Sequence, residues 1–172
     1  MRLIRHNASN FYQKKADKFL KLQRHEIDIL TLLQQYGRIS NVELARKVGL
    51  SESPCLRKTK LLEEQKVVTG YSAQIDPKKV GCQISAIIMV NLNQSADKIQ
   101  SFFDQVQQEK RVVECLAITG TADLMLKVLA KDIDDFSELT LNGLLRNPSV
   151  KDISSCIVLR EIKKNTPVPV FN

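Results

Sequence analysis

Apolar residues recur along the chain at two periods, helical in the first part and strand-like in the second. From Gln23 to Tyr36, residues Ile29, Leu30 and Leu33 share one face at the spacing of about 3.6 residues per turn, which predicts a helix closed by Gly37. Residues 38–71, RISNVELARKVGLSESPCLRKTKLLEEQKVVTGY, then read as two short helices joined by a glycine turn. The first opens at Ser40, whose hydroxyl suits a first-turn amide while Glu43 reaches back, a Ser-x-x-Glu capping box. Val42, Leu44, Ala45 and Val48 supply its apolar side, Gly49 stops it, and Leu50 plugs the small core. Ser51 or Ser53 starts the second helix, and Pro54 is tolerated in the first turn either way. On that helix Cys55, Thr59 and Leu62 fall inward, and Ser53, Arg57 and Lys60 point the opposite way.

Past the second helix, Val67, Val68 and the pair Gly70-Tyr71 suggest a short strand and turn, and Asp76-Pro77 disfavours continued helix. The pattern then alternates: a β-rich run from Ile84 to Leu92, a helix from Ala96 to Gln108, and a strand from Val112 to Thr119. After a tight loop come a strand from Leu124 to Ala130, a helix from Ile133 to Arg146 and a strand from Ile153 to Ile162. The order βαββαβ predicts an α+β fold whose antiparallel sheet carries both helices on one face. The other face is apolar enough to need a second subunit. The expected divisions are a basic extension over 1–21, a helical domain with the two-helix motif over 22–72, a linker over 73–82 and the βαββαβ domain over 83–172.

Charge sharpens this division. Residues 1–72 hold 14 Lys+Arg against 7 Asp+Glu, a net of +7, whereas residues 73–172 hold 12 against 12. A basic segment joined to a neutral one is the footprint of a chain in which one module meets polyphosphate. An exposed hydroxyl and cations near a helix N-terminus suit a major groove, where hydroxyls and guanidinium groups meet base edges and ammonium groups meet phosphates. The candidate DNA contacts are Ser40, Ser51, Ser53, Arg57, Lys58 and Lys60. Homodimerisation through the second domain would set two such helices at the spacing of a palindromic double-stranded site.

Other classes find little support. No apolar run approaches the roughly 18 residues of a membrane span, no lipidation motif or signal-peptide pattern is present, and a cytoplasmic chain is expected. Cys55, Cys82, Cys115 and Cys156 lie far apart in apolar segments and are expected as buried free thiols. The two histidines, His6 and His25, join no metal-spaced cluster, and no cofactor or metal is implied. No phosphate loop, nucleophile elbow or paired-carboxylate arrangement appears. Asp132, Asp134 and Asp135 read as acid at a helix N-terminus, so an enzyme is disfavoured.

From about Leu22 to Lys164 the chain resembles the Lrp/AsnC, or feast/famine, transcription regulators. The resemblance rests on ILTLLQQYGRISNVELARKVGLSESPCLRKTKLLEE, the exit GYSAQIDPKKVG, the loop TGTADLMLKV and the closing LLRNPSVKDISSCIVLREIKK, in matching order and spacing. It implies an N-terminal winged helix-turn-helix joined to a C-terminal ferredoxin-like (RAM/ACT-like) domain that dimerises through its sheet and often assembles into octamers. It also implies a free amino acid as effector, bound in clefts between dimers. Gly120, Thr121, Ala122 and Asp123 match the family's effector loop, the glycine letting backbone approach the ligand and the acid facing its ammonium group. Ser155 falls where the family often has a hydroxyl beside that cleft.

Several residues depart from the family pattern. Lys58 stands where most members have arginine, and Gln23 and Glu26 stand at positions usually aspartate, a change expected to weaken the first helix cap. Lys66 replaces the usual glycine after the recognition helix, so the turn there is expected to use another conformation. Ala122 occupies an often aromatic position, implying a differently shaped cleft. The sequence thus predicts a DNA-binding regulator responsive to an amino acid, with an effector-independent architectural, chromatin-like DNA binder as the alternative reading.

Overall fold

The computed structural model describes residues 20–93, 96–164 and 166–170, with side chains left undescribed at 96–98. The basic extension expected over 1–21 lies outside this range except for its last two residues. Two compact units form, one from residues 20–74 together with the tail after Glu161, the other from residues 75–161. The tail, grouped by sequence with the βαββαβ domain, therefore packs on the first unit.

The first unit contains helices α1 (Arg24–Gln35), α2 (Asn41–Val48) and α3 (Glu52–Glu64). Ile29, Leu30, Leu44, Ala45, Val48, Cys55 and Leu62 form its core, with Leu50 packed at the margin. Val42, expected on the apolar side of α2, is 58% exposed, because it sits one position off the stripe of Leu44, Ala45 and Val48. Ser40 caps α2 by accepting from the Glu43 amide at 3.2 Å, and Gly49 closes it in the left-handed region at φ 70°.

The end of α3 departs from expectation in an instructive way. Lys66 takes the left-handed conformation itself, at φ 59°, so the lysine performs the turn a glycine would normally make. The amides of Val67 and Val68 then both donate to the Leu62 carbonyl, at 2.9 and 3.1 Å, folding the exit segment back on the helix. Those bonds occupy the donors a strand would need, and among the described residues no strand forms at Val67 and Val68.

The second unit begins with a 3₁₀ turn, Lys78–Val80, within the linker. It continues through β1 (Ile84–Leu92), α4 (Ala96–Gln108), β2 (Val112–Ala117), β3 (Leu124–Ala130), α5 (Ile133–Ser137) and β4 (Val150–Ile157). The antiparallel sheet has the order β2-β3-β1-β4. Ala86, Ile88 and Val90 of β1 and Leu124, Leu126 and Val128 of β3 point to one face and are buried with Phe102 and Val106 of α4 and Phe136 of α5. Alternate positions, among them Ile87, Met89, Met125 and Leu129, lie on the opposite face and are only half buried.

Two elements differ from their sequence reading. The helix expected over Ile133 to Arg146 widens after Ser137 into a π-helix, Glu138–Leu144. Within it, buried Thr140 donates its hydroxyl to the carbonyls of Phe136 and Ser137, at 3.0 and 3.2 Å, and the Leu145 amide donates to the Thr140 carbonyl five residues back at 2.9 Å. The last strand runs Val150–Ile157 rather than 153–162, because its register is fixed by β1 from Leu92 down to Ala86. Leu159 and Ile162, whose apolar character extended the reading, are exposed.

All four cysteines are free. Cys55 is buried, and burial pushes its thiol pKa up, but Cys82 is half buried and Cys115 and Cys156 are exposed. The expectation of buried thiols fails for the latter pair because β2 and β4 are the sheet edges. Asp132 caps α5 by accepting from the Asp135 amide at 2.9 Å, the structural role its acidic run suggested. No helix among the described residues is long and apolar enough to cross a membrane.

Candidate nucleic-acid interface and ligand loop

Ser51, the N-cap of α3, holds an extended backbone at φ −75° and ψ 160°, and its hydroxyl makes no cap bond. Pro54 sits in the first turn, where its missing N–H loses no intrahelical bond. Asn41 Nδ2 donates to the Glu52 carbonyl at 3.0 Å, tying the start of α2 to the start of α3. With Cys55 and Leu62 buried against α1 and α2, Ser53, Arg57 and Lys60 are exposed, as the helical spacing required. The arrangement presents a hydroxyl, a planar fork of donors and an ammonium group along one face of the helix, with the hydroxyl in the first turn at its positive end.

Lys58 takes a different position from the one its charge suggested. Its ammonium donates to Gln23 Oε1 at 2.8 Å and Glu26 Oε1 at 3.4 Å, inside the unit. Glu26 also returns to the Gln23 amide at 2.8 Å, closing a capping box on α1. The three departures from the family pattern in this region, Gln23, Glu26 and Lys58, thus form one contact cluster. The cap is remade with longer side chains, and Lys58 braces α3 on α1.

Leu56 is a surface residue that the polar reading passed over. It is 42% exposed and lies about 60° around α3 from Ser53, at about 100° per residue. The same angular count that selected Ser53 and Arg57 would have found it. An apolar side chain there is suited to thymine methyl groups. At the other end of α3, Tyr71 donates to Glu63 Oε1 at 2.7 Å, and burial followed by that acidic partner pushes its phenol up to about 12.

In the second unit the loop between β2 and β3 is drawn tight by the Ile118 amide donating to the Asp123 carbonyl at 3.0 Å. Gly120 has φ 128°, a conformation that side chains rarely adopt, while a Cβ there would meet nothing within 4 Å. Gly120 and Thr121 are exposed, Ala122 is buried, and Asp123 is half buried. The Asp123 amide donates to the Val90 carbonyl at 3.0 Å, and its Oδ2 accepts from the Leu92 amide at 2.9 Å. Asp123 therefore pins the end of β1 where the register with β4 shifts between Asn91 and Leu92. A carboxylate has further acceptor positions, so this bond leaves capacity for an ammonium group.

Ser155 is exposed on β4 opposite Ile88, while Asp123 lies beyond the Leu124–Val90 pair on β3. With β1 between them, the two are separated by two strand spacings, about 10 Å, before any offset along the strands. Within one chain the fold does not bring the loop and Ser155 together.

These elements define a class: a DNA-binding helix-turn-helix unit joined to a small antiparallel α+β unit with a glycine-bearing loop. A model described as winged helix-turn-helix DNA-binding matches residues 22–69, and one for the Lrp/AsnC ligand binding domain matches residues 85–168. The transcriptional regulator AzlB of Bacillus subtilis is 34% identical over 143 residues, covering 83% of this chain and 91% of that protein. The leucine-responsive regulatory protein of Escherichia coli is 36% identical over 145 residues, covering 84% and 88%. Among solved structures, a transcriptional regulator of Neisseria meningitidis in complex with L-Met has a TM-score of 0.85 at 38% identity, covering 87% of this chain and 97% of that one. An AsnC family regulator from Agrobacterium tumefaciens has a TM-score of 0.80 at 28% identity, covering 86% and 97%. The chain belongs to the Lrp/AsnC family of transcription regulators. It is a DNA-binding regulator with a ligand-binding domain, not an enzyme.

Proposed function

We propose that the protein is a sequence-specific regulator of palindromic double-stranded DNA whose assembly or DNA affinity responds to an amino acid. The observation that carries this reading is the exposed face of Ser53, Arg57 and Lys60 on α3, coupled in one chain to the ligand-binding domain. Ser40 and Ser51, both exposed at helix starts, are suited to phosphate contact. The solved relative holding L-Met supports an amino-acid effector, received here by Gly120 to Asp123 of one dimer, with Ser155 supplied from across the cleft by another. Since Asp123 and Ser155 stand apart within one chain, a shared site requires such an assembly, consistent with dimers that build to an octamer.

A thermal-shift screen of the twenty amino acids, starting with methionine and leucine, tests the effector directly, because a ligand that binds only the folded protein raises its melting temperature. A shift should appear for a narrow set. Asp123→Asn keeps an oxygen for the Leu92 amide while removing the charge, and should weaken that ligand at least about tenfold, equivalent to about 1.4 kcal/mol. Equal affinity in the two proteins would leave Asp123 as a strand-end pin alone. On the DNA side, Arg57→Ala should cost about 1–3 kcal/mol and relax preference at one base position, and Lys60→Ala should weaken all sequences alike and lower the salt slope by about one. Unchanged binding in both variants would remove α3 from the interface.

A further inference from the structure

After Glu161 the chain leaves the ligand-binding unit and returns to the DNA-reading unit, where its last described residues, 166–170, read Thr-Pro-Val-Pro-Val. Pro167 and Pro169 have no N–H, so Val168 is the one donor in the Pro-Val-Pro stretch. Gln34 of α1 takes it. The Val168 amide donates to Gln34 Oε1, and Gln34 Nε2 donates to the Val168 carbonyl at 3.2 Å. A primary amide side chain here satisfies both backbone groups of one residue, as a neighbouring strand would.

The two prolines hold this segment extended before it docks, which lowers the entropy lost on binding. Two residues on, Val170 packs against the core of the unit. Beside the seated segment an open apolar cleft of about 520 Å³ remains, walled by Val168 to Val170 themselves, by Leu30 and Leu33 of α1, and by Val68 and Tyr71 from the stretch after α3. No residue between Ser51 and Lys60 lines it, so the seat leaves the outer face of α3 clear.

We propose that the surface between α1 and the stretch after α3, with Gln34 at its edge, is a peptide-recognition seat for an extended Pro-Val-Pro-Val segment, occupied by the chain's own tail. Seating braces α1 against the exit of α3, so the tail raises DNA affinity without touching DNA. The effect on DNA builds on the reading of α3 as the recognition helix, whereas occupancy of the seat is measured without DNA.

A chain ending at Lys164 should bind a labelled peptide of residues 162–172, read by fluorescence anisotropy, and the full chain should bind it at least about tenfold more weakly because its own tail competes. Gln34→Ala in the shortened chain should weaken the peptide by a similar factor. Equal binding by full and shortened chains, or indifference to Gln34→Ala, overturns the proposal. Competition in the full chain should not depend on protein concentration. A block that disappears on dilution hands the seat to a second copy's tail and overturns own-chain occupancy.

Hydrogen exchange on the intact chain gives a measure that does not rely on truncation. The Val168 amide should be protected, and Gln34→Ala should speed its exchange at least about tenfold; unprotected exchange in the intact chain again overturns the seat. On a mixed-sequence duplex, the shortened chain should bind several-fold more weakly and recover when unlabelled peptide is added. Peptide that binds but leaves DNA affinity unchanged overturns the bracing role.

Discussion

A lysine at φ 59° is an unusual choice at the end of a helix, since a side chain in the left-handed region crowds its own carbonyl. Lys66→Gly should relieve that crowding, partly offset by the larger entropy glycine loses on folding, for a net gain of about 0.5–1 kcal/mol. An increased urea midpoint with an unchanged slope checks this. The Lys58 cluster makes the opposite prediction. Replacing Lys58 with Met removes the partner of Glu26, whose side chain is 14% exposed, and should lower stability by about 1–2 kcal/mol while leaving the salt slope of DNA binding unchanged. A lowered slope would return Lys58 to the phosphates. At this scale the sequence disclosed which residues depart from the family pattern, but not that Gln23, Glu26 and Lys58 meet. Their meeting requires the packing angle between α1 and α3, which no spacing within either helix encodes.

Arg111 joins elements of the second unit by donating to Glu109 Oε2 at 2.8 Å and to Asp135 Oδ1 at 2.7 Å. The Arg111 hydrogen bonds hold the Glu109 carboxyl below its usual range, and the Lys131 amide, then Arg111, do the same for Asp135. Depressed carboxyl pKa values stabilise the fold above the unfolded values, about 4.3 for Glu and 3.9 for Asp, and that stability is lost as pH falls through the folded values. Denaturant midpoints should therefore drop below about pH 5 in the native chain and drop less steeply in Arg111→Met. The core strands β1 and β3 were legible end to end, because each is a short, nearly continuous apolar run of strand length, ISAIIMVNL and LMLKVLA. The last strand was not, since Leu159 and Ile162 continue an apolar pattern on residues that the sheet does not pair. The π-turn at Glu138–Leu144 was hidden for another reason: a bond to the carbonyl five residues back in place of four shifts the apolar spacing too little, over two turns, to separate it from an α-helix.

At the scale of the molecule, the half-buried apolar sheet face with Ile87, Met89, Met125 and Leu129 predicts association. The full chain should sediment as a dimer or larger species without DNA, and Met125→Glu, which buries a charge in any such contact, should shift it toward monomer by at least about 2 kcal/mol. A wild-type chain that stays monomeric at micromolar concentration would sink this reading. The division into a basic reader and a neutral partner unit was visible in the charge count, but the return of the tail was not. A Pro-Val alternation marks an extended segment but not what it docks on, and Gln34, which holds it, lies more than a hundred positions away. This discontinuous layout has a consequence for synthesis. The DNA-reading unit needs residues that follow Glu161, so on a growing chain the intervening ligand-binding unit has residues 75–161 available first, and the reader is completed only once the segment that seats Val168 and Val170 has emerged behind it.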